Sequence, residues 1–155
     1  MPRQRLAVLL ATWFGTGYAP LAPGTVASIV AWGIAWLLVH RCGMPPWALA
    51  LAAAAVAPVA IWAAGAAAEE FGSEDPTRVV IDEVVGQWIA LASASQGSLA
   101  EWVAAIVLFR AFDIAKPLGI RKAESIPGGR GIVADDLAAG ACAMIVVLLV
   151  RWIGF

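Results

Sequence analysis

The sequence predicts an all-α fold: a polytopic membrane bundle of about five transmembrane helices, preceded by a short N-terminal interfacial or re-entrant helix. Three observations predict it. Hydrophobic residues make up 62% of the 155 and charged residues only 14%, whereas a soluble domain is nearer half and a quarter. Several apolar runs approach the roughly 20 residues that a helix needs to cross a bilayer's hydrocarbon core. These runs are rich in Ala and Leu and far longer than ordinary strands. The chain reads as one integral membrane domain over residues 1–155. Its net charge of −1 gives no sign of a nucleic-acid partner.

The elements follow in order. The opening "MPRQRLAVLLATWFG" mimics a signal peptide, with two arginines before an apolar stretch, but no A-x-A cleavage site follows. It is expected to be retained as the short first segment. Five apolar spans come next, over 25–40, 46–68, 84–97, 99–115 and 137–154. The second is crowded with Ala and Gly, which let helix backbones approach closely where no hydrophobic effect drives association. Pro58 predicts a kink in it. The third is short, and crosses only if its helix begins near Val79, which puts Asp82 and Glu83 in its first turns.

The connections differ in character. "HRCGMPP" (40–46) and "SQGSLAE" (95–101) are short and nearly uncharged, whereas "EEFGSEDPTR" (69–78) and "KPLGIRKAESIPGGRG" (116–131) are long and charged. One side of the expected topology carries Arg3, Arg5, Arg78, Arg110, Lys116, Arg121, Lys122 and Arg130; the other carries Arg41 and Arg151. That asymmetry predicts a cytoplasmic N-terminus, two cytoplasmic long loops and an external C-terminus. Trp36, Trp47, Trp102 and Trp152 then fall near the outer surface, as an interfacial aromatic belt would. Cys42 and Cys142 have no metal-ligand spacing and read as packing residues.

Five of the eleven acids converge on one surface in this topology. Asp82 and Glu83 begin the third span, Asp113 ends the fourth, and Asp135 and Asp136 begin the fifth. Carboxylates at such depth are costly and face a polar cavity or one another. Crowded together they repel, and a cation resolves the conflict. Mg²⁺ is the expected cation, a hard ion that prefers carboxylate oxygens. Acids near a helix N-terminus can instead cap free N–H groups. Asp113 resists that explanation, because it lies near a helix C-terminus.

Cations accompany the acids. "FRAFDIAKP" places Arg110, Asp113 and Lys116 on one helix face. Arg offers a fork to phosphate and Lys a point charge; salt-bridging to Asp113 and snorkelling is the blander reading. Two glycine-rich loops are expected on the same surface. "GTGYAPLAPGT" (15–25) ends in Thr25 at a helix start, with Ser28 one turn on. "PGGRGIVADD" (127–136) leads into the fifth helix. Flexible backbone before a helix exposes N–H donors suited to an anionic oxygen.

The single histidine, His40, is expected at the opposite surface, so phosphohistidine and Ser-His-Asp mechanisms do not fit. Carboxylates, a metal and phosphate-binding cations remain, which points to phosphoryl chemistry at a membrane surface. A small ion- or proton-coupled transporter is the alternative, since intramembrane acids often mark ion pathways.

Four blocks, "YAPLAPGTVAS", "VVIDEVVGQWI", "FRAFDIAKPLGI" and "GGRGIVADDLAAG", resemble the signature blocks of the phosphatidylglycerophosphatase A family, in its order and spacing, over about residues 6 to 150. The resemblance implies a Mg²⁺-dependent enzyme of the bacterial inner membrane with its active site on the cytoplasmic side. Such an enzyme takes phosphatidylglycerophosphate to phosphatidylglycerol and inorganic phosphate. It implies metal-binding and catalytic roles among Asp82, Glu83, Asp113, Asp135 and Asp136, and phosphate or head-group contacts from Thr25, Ser28, Arg110, Lys116 and Arg130. It does not say which acid is ligand, base or nucleophile, and it leaves the oligomeric state open.

Overall fold

The computed structural model describes residues 2–117 and 119–154, apart from the side chains at 121, 122 and 124. Arg121 and Lys122, counted above among the loop cations, therefore have side chains outside the described residues. Every regular element described is helical: α1 (Pro2–Ala11), α2 (Pro23–Arg41), α3 (Ala48–Phe71), α4 (Ile81–Leu91), α5 (Leu99–Ala115) and α6 (Gly129–Trp152). Short 3-10 turns cover Thr16–Tyr18 and Ile120–Ser125.

Three of these helices, α2, α3 and α6, are long and apolar enough to cross a membrane, against the five spans expected. The shortfall lies in α4 and α5. The third span was expected to run to residue 97, but α4 has 11 residues and stops at Leu91. That is about 16 Å at 1.5 Å per residue, half of a bilayer core of about 30 Å. The stop is local. Ser93 turns its hydroxyl back onto the Ala90 carbonyl at 2.8 Å, and Gln96 donates to the Val39 carbonyl at 3.3 Å. Ser and Gln side chains that bond nearby carbonyls compete with helix continuation. α5, with 17 residues, spans about 26 Å.

A second difference concerns α6. It begins at Gly129, two turns before the expected start at 137. "GGRG" is thus largely helix and not flexible loop. Glycine is required there by close approach: a Cβ on Gly129 would stand 2.0 Å from the Ile61 carbonyl oxygen on α3. Asp135 and Asp136 consequently lie inside the helix. Gly128, at φ 71°, turns the chain into it.

α6 packs against α3, α4 and α5. Its crossing with α4 is tight, since a Cβ on Gly140 would meet the Gly86 carbonyl oxygen at 2.3 Å. α1 lies against α3, and the Val80 N–H donates to the Ala11 carbonyl at 2.8 Å, fixing the entry to α4. The chain runs back and forth, so the starts of α2, α4 and α6 and the ends of α3 and α5 share one end of the bundle.

The opposite end is closed by aromatic and polar contacts. His40 stacks on Trp36 with ring centroids 3.7 Å apart, and Trp36 meets Trp102 edge-on at 5.2 Å. Glu101 accepts from the Ser95 N–H at 2.6 Å, and Arg151 donates to the Ser93 carbonyl at 3.1 Å. Trp47 and Trp152 are exposed.

Candidate functional site

A cavity of about 240 Å³ opens at the first end of the bundle. Asp82, Glu83, Asp113, Asp135 and Asp136 all line it, together with Arg110 and Lys116. Three elements supply them: the first turn of α4, the last two turns of α5 with its cap, and the second turn of α6. Lys116 takes the left-handed conformation, φ 45°, at the C-cap of α5. That backbone turn swings its ammonium toward α6.

The five acids divide into two classes. Oxygens of Asp82, Glu83 and Asp136 lie within 4.8 Å of one another. Asp113 and Asp135 instead hold the cations. Arg110 Nη1 lies 2.5 Å from Asp113 Oδ2 and 3.8 Å from Glu83 Oε1. Lys116 Nζ lies 2.5 Å from Asp135 Oδ2, whose other oxygen accepts from the Asp136 N–H at 3.1 Å.

The inner three do not serve as helix caps, because neither α4 nor α6 has a side-chain cap bond. Asp82 and Asp136 are buried and Glu83 nearly so. Asp82 Oδ1, Glu83 Oε2 and Asp136 Oδ2 are buried without any hydrogen-bond partner. Burying charged oxygens without compensation costs several kcal/mol per group. Three hard anionic oxygens converging from two helices match the donor set of a divalent cation such as Mg²⁺. The acids themselves therefore fit a metal.

The remaining expected residues lie elsewhere. Ser28 is buried, and its hydroxyl donates to the Gly24 carbonyl at 2.9 Å within α2. Thr25 is half-buried and Arg130 exposed, and neither lines the cavity. The backbone beside Thr25 does: Ala22, Pro23 and Gly24 form one wall. Gly24 sits so close that a Cβ there would stand 1.9 Å from Glu83 Oε1.

Sequence reasoning missed three residues. Asp75 and Thr77 line the cavity from the loop before α4; their nearness in sequence to Asp82 was the available signal. Gln87, one turn beyond Glu83, is wholly buried with both amide atoms unpartnered. It was hidden inside an apolar run.

The profile of a family described as phosphatidylglycerophosphatase A matches residues 9–151. Among individual proteins, the chain is 42% identical to a Bacteroides thetaiotaomicron protein provisionally named a phosphatidylinositol-3-phosphatase, covering 96% of this chain and 95% of that one. It is 35% identical to an Escherichia coli K12 protein named phosphatidylglycerophosphatase A, covering 85% and 76%. A Haemophilus influenzae protein of the same name is 33% identical, covering 93% and 88%. No solved structure matches the chain.

Proposed function

The chain belongs to the phosphatidylglycerophosphatase A family and is a phosphatase, and from that premise we propose that it hydrolyses the terminal phosphate ester of phosphatidylglycerophosphate. The reading places the reaction at the cytoplasmic face of a bacterial inner membrane, with Mg²⁺ held in the acidic cavity. One observation carries it: three converging carboxylates, each with one buried oxygen that lacks a hydrogen-bond partner, stand beside two cations in a single cavity.

In this mechanism the diacyl chains stay in the bilayer and the head group enters between the starts of α2, α4 and α6. Asp82 would hold the metal together with Glu83, Asp136 or both, and the bound metal would draw negative charge from the phosphoryl oxygens. Arg110 and Lys116 face the nonbridging oxygens and stabilise the charge that shifts during transfer. Asp113 and Asp135 keep those two cations aimed and charge-balanced until phosphate arrives. Glu83, 3.8 Å from Arg110 Nη1, takes the proton of an attacking water where its carboxylate is not itself bound to metal. Asp136 is the other candidate for that role. A carboxylate attacking phosphorus would instead give an acyl-phosphate; the stereochemical course at a chirally labelled phosphorus separates the two, inversion for one direct displacement by water and retention for two successive ones.

The name of the Bacteroides relative favours a second reading, in which the lipid carries a phosphorylated inositol. Purified protein should release phosphate from phosphatidylglycerophosphate in the presence of Mg²⁺ and far less after chelation. Phosphatidate and phosphatidylinositol 3-phosphate run in parallel rank the head groups. Absence of release from all three, with ion flux in liposomes, would establish the transporter instead.

A further inference from the structure

Gln87 is wholly buried in α4, and its Nε2 and Oε1 both lack a hydrogen-bond partner. Burying an amide in this way is costly, and a helix this apolar would lose nothing by carrying Leu at the position. Two of the orphaned atoms among the cavity residues complement the amide. Glu83 Oε2 is an acceptor without a donor, and Arg110 Nε is a donor without an acceptor. The four atoms are complementary, with two donors and two acceptors.

Helical geometry brings them together. Gln87 follows Glu83 by four residues, so both side chains share one face of α4. Glu83 turns that face toward Gly24 on α2 and Arg110 on α5. The amide therefore lies one turn further along α4 than the carboxylate, on the same face. We propose that Gln87 is a positioning residue, whose amide donates toward Glu83 and accepts from Arg110, directly after a side-chain rotation or across one water. It would hold the Glu83 carboxylate turned up into the acid trio and keep the guanidinium level with the phosphoryl oxygens. Groups that orient a metal-binding side chain in this way commonly alter metal affinity or activity by about 10–100-fold when removed.

The inference rests on the acidic cavity being the reaction site, so its test separates the two. Wild-type protein is first shown to bind Mn²⁺, by titration calorimetry, and to release phosphate from phosphatidylglycerophosphate. Gln87→Leu is then compared with it. The expected result is a fall in kcat of about 10–100-fold with KM within about twofold, and Mn²⁺ affinity lowered by about tenfold. The thermal midpoint of the metal-free protein should be unchanged or higher, because an orphaned amide has been replaced by apolar volume. A purely structural Gln87 gives the reverse: a lower midpoint with activity and Mn²⁺ affinity per folded molecule intact. Gln87→Met repeats the comparison if Gln87→Leu does not fold. Failure of both to fold, or wild-type values in either, overturns the proposal. Loss of Mn²⁺ binding by the wild type itself would instead overturn the site.

Discussion

Lys116 reaches from the cap of α5 to Asp135 on α6, Nζ to Oδ2 at 2.5 Å, and does so from a left-handed backbone, φ 45°. A non-glycine residue held there costs about 1 kcal/mol or more. Strain of this kind persists where the surroundings over-determine the conformation. Lys116→Gly relieves it and removes the charge. The expected result is phosphate release reduced by about 10²-fold or more, with a smaller loss of heat stability than in Lys116→Val, since both changes strip Asp135 of its cation but only glycine relieves the strain. Lys116→Val keeps the strain and should lose both. Thermal melts beside kcat measurements decide the matter.

The division of the acids predicts divided phenotypes. Asp82→Asn and Asp136→Asn should abolish both Mn²⁺ binding and turnover. Asp113→Asn and Asp135→Asn should leave Mn²⁺ binding within a few-fold of wild type, because those acids hold cations. Their damage should appear as turnover loss, about 10²-fold by analogy with removing one stabilising donor. Equal Mn²⁺ affinities across all four variants would show that the inner trio is not a metal set.

Without a metal, three neighbouring buried carboxylates oppose folding. Asp136→Asn should therefore raise the thermal midpoint of the chelated protein while destroying its activity. Adding Mg²⁺ should raise the wild-type midpoint, since a ligand that binds only the folded state stabilises it by mass action. It should not do so in Asp82→Asn. Calorimetry with and without chelator checks both signs.

Gly24 packs directly on Glu83, and an added Cβ would overlap Oε1. Gly24→Ala is thus expected to swing the carboxylate away from Asp82 and Asp136. Mn²⁺ affinity should fall about 10-fold or more, although no ionisable group has been touched. A variant with wild-type affinity would place the metal elsewhere.

Glu101→Gln serves as the remote control. Glu101 accepts from the Ser95 N–H and faces Arg151 at 3.8 Å, at the end of the bundle away from the acids. Stability should drop by about 1 kcal/mol, with kcat and KM unchanged. A kinetic effect would mean that the two ends communicate.

How much of this could be read from the chain depends on where each signal resides. That five acids reach one end was legible, because each lies near the tip of an apolar run and chain reversal fixes which tips coincide. The all-helical character was legible for a similar reason. The start of α6 was not: Gly128 to Gly131 read as loop, and only the approach of α3 explains why glycine is needed inside a helix there. The early stop of α4 depends on Ser93 and Gln96 finding carbonyls, one of them on another helix. The split between metal-facing and cation-holding acids rests on interhelical distances of a few ångströms, which no spacing encodes. Thr25, Ser28 and Arg130 were grouped with the site by the family resemblance and by the glycine-rich loops that hold or precede them. The structure places Ser28's hydroxyl on its own helix and leaves Thr25 and Arg130 off the cavity wall.

The brevity of α5 has a mechanical corollary. From Glu101 to Asp113 is 12 steps along the helix, or about 18 Å, well short of a hydrocarbon thickness of about 30 Å. Val103, Val107 and Ile114 are exposed on that helix and present a low apolar wall. Lipids along it must compress or tilt to match, at a modest cost for each ångström of mismatch. In the proposed membrane placement the leaflet would dip around this flank, and a phosphorylated head group would descend to the carboxylates without its acyl tails leaving their neighbours.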